Sequence, residues 1–126
     1  MEDDARDPLT ATIIGGAMEV HKALGPGLLE SAYEECLAIE LVERGLVIAR
    51  QVPVPIVFKV RKLAVAYRLD RLVNNLVVVE IKAVEKVLPV HQAQLLTYLR
   101  LANKRIGLIL NFHSAYLKNG ITRLAL

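Results

Sequence analysis

A chain of 126 residues, 54% hydrophobic and 23% charged, suits one compact domain with a sizeable core and excludes an intrinsically disordered polymer. Sixteen basic residues against thirteen acidic ones leave a net charge of +3, too weak by itself to imply a nucleic-acid partner. The single cysteine, Cys36, excludes an internal disulfide, and no apolar run approaches the length of a membrane span.

The acidic start, Met1 to Asp7, is unlike a signal peptide and reads as a flexible tail on a soluble, cytoplasmic domain spanning residues 1–126. Asp7-Pro8 opens a helix in which Leu9, Ile13, Ala17, Val20 and Leu24 recur at helical spacing. Gly25-Pro26-Gly27 breaks the chain, and a second helix is predicted from about Leu28 to Arg44, with Tyr33, Leu37 and Leu41 inward and Gly45 beyond its end. Cys36 lies in this helix and reads as an inert core thiol.

Strand patterns follow. Leu46 to Val52 is β-rich, and Pro53 and Pro55 fit an edge or a bend. Ile56–Val60 and Leu63–Leu69 are predicted as a hairpin closed by Arg61-Lys62, and Asn74-Asn75 as a turn into the apolar strand Leu76–Ala83. Pro89 opens a third helix to about Ala102, and Ile106–Phe112 is a strand covered on both faces. Asn119-Gly120 is predicted to join a short strand near Tyr116 to Ile121–Leu124. The order is helix, helix, antiparallel strands, helix, strand, strand, so the third helix is a crossover between parallel strands. This is an α/β domain with a mixed sheet.

Charged residues inside apolar strands need a reason. Glu80 and Lys82 leave the same face of Leu76–Ala83, which alone could be a salt bridge. Asp70, across the Asn74-Asn75 turn, adds a second carboxylate. Two carboxylates beside a lysine suit phosphodiester hydrolysis. Asp70, Glu80 and the carbonyl of Ile81 offer hard oxygen ligands for Mg2+ or Mn2+, and Lys82 can orient a nucleophile and stabilise charge on the phosphate. The carboxylates share a face only if the turn has three or five residues, or a bulge lies near Asp70. Lys59, Arg61, Lys62, Arg68 and Arg71 crowd one region, either as a solvated hairpin or as a surface facing nucleic acid.

Asp70 followed by Glu80-Ile81-Lys82 resembles the PD-(D/E)XK nuclease motif, with Leu69 in place of the proline. Gln94-x-x-x-Tyr98 is similar to the motif that follows the active strand in the RecB-like branch, and Gly27-Leu28-Leu29-Glu30-Ser31-Ala32-Tyr33 reads as the GxxExxY signature of a family of small bacterial and archaeal proteins. The resemblance implies a restriction-endonuclease-like α-β-β-β-α-β core and a Mg2+ (or Mn2+) site at Asp70 and Glu80, with Lys82 catalytic. It implies Glu30 as an accessory acidic ligand, Gln94 and Tyr98 on the substrate side, and a nucleic-acid substrate, DNA ahead of RNA. No membrane is expected, and a homodimer stays open. The alternative is a nucleic-acid-binding or protein-interaction module of the same fold without turnover. His21 reads as a capping or core histidine rather than a ligand, His91 as exposed near the start of its helix, and His113 has no assigned role.

Overall fold

The computed structural model describes residues 7–126, apart from the side chains at positions 65 and 66. The expected flexible start therefore lies outside the described residues, except Asp7. That residue is ordered as the cap of helix α1 (Pro8–Leu24), its carboxylate accepting hydrogen bonds from the Thr10 N–H and hydroxyl.

Ile13, Ala17 and Val20 of α1 are buried against α2 (Glu30–Glu43), whose Tyr33, Leu37 and Leu41 are fully enclosed. The helices approach closely at Gly16, where a Cβ would meet Leu41 Cδ2 at 2.7 Å. Between them Gly25 and Gly27 take φ values of +69° and +101°, open to glycine and resisted by most side chains. The Tyr33 hydroxyl ties that turn down. It donates to the Gly25 carbonyl at 2.6 Å and accepts the Leu28 N–H at 3.1 Å, while its ring stacks on Phe112 at 4.6 Å.

Five strands, β1 (Ile48–Phe58), β2 (Arg61–Val73), β3 (Val77–Lys82), β4 (Ile106–Asn111) and β5 (Ile121–Ala125), form one sheet in sequence order. Every neighbouring pair is antiparallel except β3 and β4, which are parallel and joined through α3 (Pro89–Ala102). Helices cover both faces, as parallel strands require. On one side α1 and α2 pack on Val77, Val79, Ile81, Leu108 and Leu110. On the other, Leu95 and Leu99 of α3 pack on Leu72, Val78 and Ile109. Gly107 lets α3 sit close, since a Cβ there would meet the Leu95 side chain at 2.9 Å.

The structure departs from the sequence reading at two places. The segment from Ile48 to Phe58 is one strand, which holds both prolines because it lies at the sheet edge. Its hairpin turns at Lys59-Val60 (φ +48° and +59°), two residues before the expected Arg61-Lys62, so no Asn or Gly announces it. At the other end the chain near Tyr116 forms no strand; a 3-10 turn, Leu117–Gly120, leads into β5. Gly120 is required for contact rather than for a hairpin turn, because a Cβ would meet the Asn111 carbonyl oxygen at 2.5 Å.

Val60 combines a left-handed backbone with a side chain that is 99% exposed, so it bears a conformational cost without packing in return. Val60→Gly should raise stability by about 1 kcal/mol in thermal or urea unfolding. An unchanged or lowered midpoint would contradict this account of the turn.

Candidate active site

The β2–β3 connection has three residues, Asn74 to Leu76, with the two asparagines at φ +51° and +57°. The ladder accordingly pairs Val73 with Val77, Leu72 with Val78 and Arg71 with Val79. One more step sets Asp70 beside Glu80, on the face carrying Leu72 and Val78. A two-residue turn would have put them on opposite faces. The described ladder ends at Arg71 and Val79, so β2 separates from β3 where the carboxylates begin.

Glu80 is buried, and its Oε1 has no hydrogen-bond partner. Burial is the main reason its carboxyl is pushed up to about 9; the adjoining Asp70 carboxyl adds to the effect, while Lys82 and the Asp70 backbone N–H oppose it. Two carboxyls therefore lie against each other with one buried oxygen, Glu80 Oε1, left without a partner, and no side chain other than Asp70 bonds the Glu80 carboxyl among the described residues. Lys82, half-buried, closes β3 beyond Glu80. The Lys82 carbonyl accepts the Phe112 N–H at 2.9 Å on the β4 side. Carbonyls alternate along a strand, so that of Ile81 points the other way, toward β2, beyond the last paired residue.

Helix α3 supplies the roof. His91, Gln94 and Tyr98 line a narrow cavity of about 10 Å³ with Glu80 and Lys82, room for roughly one water-sized particle. Tyr98 is half-buried, and its phenol is raised by burial and then by the negative charge of Glu80, so it faces the carboxylates. Gln94 is exposed at the mouth. His91 is not exposed as expected; it is half-buried, its Nδ1 accepting the Leu88 N–H at 3.0 Å, so that Nε2 is left for the cavity side. His21 is a structural residue, with Nε2 2.8 Å from the Ser114 carbonyl oxygen.

Glu30 begins α2 and is exposed. One turn on, Glu34 is half-buried, and its carboxyl is raised by burial and further by Asp70 and Glu30, with Arg71 opposing. Glu34 was not singled out in the sequence, although its spacing of four from Glu30 places both on one helix face. Among the described residues no three His, Cys, Asp or Glu side chains converge to hold an ion. Arg71, 1% exposed, reaches from the opposite face of β2 to donate to the Glu34 carbonyl.

Asn111 also escaped sequence reasoning. Paired with Lys82 and 2% exposed, it accepts the Val84 N–H at 3.1 Å and donates to the Val84 carbonyl at 2.8 Å, pinning the chain that leaves β3. The available signal was a polar residue at the end of an apolar strand.

A roomier cavity of about 700 Å³ lies at the other end of the parallel strands, between residues 75–77 and 103–106. It touches none of the candidate residues, so chemistry and not size locates the site.

The donor set fits a hard divalent cation: one buried oxygen lacking a donor, a second carboxylate against it, and a strand carbonyl beyond the ladder. The arrangement brings two carboxylates and one lysine together at the ends of β2 and β3. Residues 7–124 match the profile of the PD-(D/E)XK nuclease superfamily, and the chain belongs to it. Its mixed sheet flanked by helices is the restriction-endonuclease-like fold, and members of the superfamily are generally nucleases that typically use divalent metals. Comparison with curated proteins and with solved structures returned no match.

The raised Glu80 pKa fixes a sign. In the metal-free protein Glu80 is neutral both folded and unfolded below about pH 4.5, and its ionisation then opposes folding until it titrates in the native state near 9. Stability should therefore fall across that window, by at most about 1.4 kcal/mol per pH unit from this group. Asp70 on β2 and Lys82 on β3 modulate it, and Tyr98 on α3 interacts with its charge. Glu80→Gln should flatten the profile in urea melts from pH 5 to 9; an equal slope in both proteins would show Glu80 to be ionised throughout.

Proposed function

We propose that this chain is a divalent-metal-dependent nuclease of the GxxExxY type and RecB-like branch, hydrolysing phosphodiester bonds of nucleic acid, DNA ahead of RNA. One observation carries the reading. Glu80 is a buried carboxyl without a donor on Oε1, set against Asp70 and two residues from Lys82. A fold has little reason to bury one carboxyl against another, at the cost of its ionisation, unless a cation belongs between them.

Asp70, Glu80 and the Ile81 carbonyl would hold Mg2+ or Mn2+. When bound, the ion supplies charge neutralisation and Lewis acidity toward water and phosphate. The remaining work belongs to the chain. The Lys82 ammonium orients the attacking water and stabilises the extra negative charge of the five-coordinate phosphorus. Tyr98 and Gln94 present polar groups to the substrate from α3, and His91 lines the same narrow space. The walls of Leu95 and Ile109 limit water, which strengthens each of these electrostatic contacts. Glu30, with Glu34 behind it, adds negative charge from α2 as an accessory group.

Asp70→Ala and Glu80→Ala should lose metal binding, read by calorimetry, together with cleavage of labelled substrates. Lys82→Ala should lower cleavage at least a hundredfold while metal affinity stays or rises, because a neighbouring positive charge has gone. Full cleavage in Lys82→Ala would reduce that residue to a salt-bridge partner.

The two α2 carboxylates separate in a second comparison. Glu30→Gln should weaken metal affinity severalfold with little change in the unfolding midpoint. Glu34→Gln should raise the midpoint, because a half-buried charge near Asp70 is removed. Unchanged metal affinity in Glu30→Gln would leave it a helix-terminus charge alone.

A further inference from the structure

From Arg44 to Leu69 the chain carries six cations, Arg44, Arg50, Lys59, Arg61, Lys62 and Arg68, and no acidic residue. Arg44 and Arg50 are engaged by Glu40 and Glu35 at 2.8 and 2.6 Å. The other four are exposed, and among the described residues none has an acidic partner. All four belong to the β1–β2 hairpin, which is longer than the sheet it comes from. Only Arg71–Val73 of β2 pair with β3. Upstream of Asp70, β2 has β1 as its strand partner.

The hairpin is seated at its root and free at its tip. Val52, Val54 and Leu69 pack in the α3 cluster, and Tyr67 lies 5.4 Å from the Tyr98 ring, centroid to centroid. Farther out, Val57, Phe58, Val60 and Leu63 are 59, 63, 99 and 41% exposed. A domain that needed only a sheet edge would end near the root. The strained Lys59-Val60 turn instead presents apolar side chains between cations.

We infer that this hairpin is an arm that lies along the phosphate backbone of the substrate and holds it across Asp70 and Glu80. A two-stranded β-ribbon has the width of a duplex major groove, and apolar tips are used against bases and sugars. The ten residue steps from Val60 to Asp70 span at most about 33 Å, roughly ten base pairs of duplex. Tyr67 against Tyr98 makes the arm continuous with the site roof. The inference takes its choice of polyanion from the nuclease reading and is tested by binding, not by cleavage.

Fluorescence anisotropy in EDTA would compare the wild type with the variant carrying Lys59→Ala, Arg61→Ala, Lys62→Ala and Arg68→Ala. The probes are a labelled 30-base-pair DNA duplex and the RNA duplex of the same sequence, over 50–200 mM salt. The variant should bind its preferred duplex at least about a hundredfold more weakly at 50 mM. The slope of log affinity against log salt should fall by about three to four, near 0.9 for each phosphate that is no longer neutralised. Its melting temperature and its calorimetric Mg2+ affinity should match the wild type. Equal affinity and slope in both proteins overturn the arm, as does a wild type that binds neither duplex; reduced self-association of Phe58→Ser in light scattering would then name a second copy of this chain as the tip's partner. A wild type that binds through the arm but never cleaves would remove the hydrolase reading and leave the arm standing.

Discussion

Asp70 and Glu80 are held in contact where neither can donate a hydrogen bond to the other while both are ionised. Ionising both, with one of them buried, is an electrostatic cost that the metal-free fold avoids by holding Glu80 toward its neutral form. That cost shapes its surroundings. The Glu80 carboxyl is forced toward its neutral form, Lys82 is placed two residues on, and the Asp70 backbone N–H turns toward Glu80. A divalent cation would relieve the repulsion and use the oxygen that lacks a donor.

The architecture brings two helical layers to that pair from opposite sides of the sheet. Tyr98 on α3 and Glu34 on α2 both feel the charge of Asp70, although the helices pack on different faces. This is possible because the described β2–β3 ladder stops one residue short of Asp70. The helix behind the sheet is positioned by Tyr33, which binds the Gly25-Pro26-Gly27 turn through its hydroxyl and the core through its ring. Tyr33 locks the helix start, whereas Glu30, at the first position of the same helix, is exposed.

Strand β2 joins three functions in one run of chain. Its last residues, Arg71 to Val73, belong to the sheet; Asp70 belongs to the site; the residues before it belong to a hairpin resting on α3. Arg71 marks the junction. Its guanidinium is buried against α2, where burial and then Arg50 lower its pKa, and its Nε and Nη1 lack partners among the described residues. An apolar side chain would fill such a position at less cost. Arg71 instead supplies positive charge behind the acidic pair and binds the Glu34 carbonyl.

Much of the fold was legible because its signals are local. Asp7-Pro8 and Pro89 mark helix starts, the 3.6-residue stripe of Ile13, Ala17 and Val20 marks a core face, and apolar runs at Val77–Lys82 and Ile106–Asn111 mark strands buried on both sides. The candidate residues stood out for a related reason: Glu80 and Lys82 interrupt one of those runs, where a buried charge is costly. The turn at Lys59-Val60 was not legible, because neither residue favours a positive φ and the pairing of two long strands imposes it. Nor was the part played by Glu34 or Asn111, whose surroundings come from segments distant in the chain. The residue types and their alternation determined which groups could do chemistry. Whether Asp70 meets Glu80 at all depended on one residue of hairpin register, since a strand's side chains change face at every step, and only the tertiary structure could decide it.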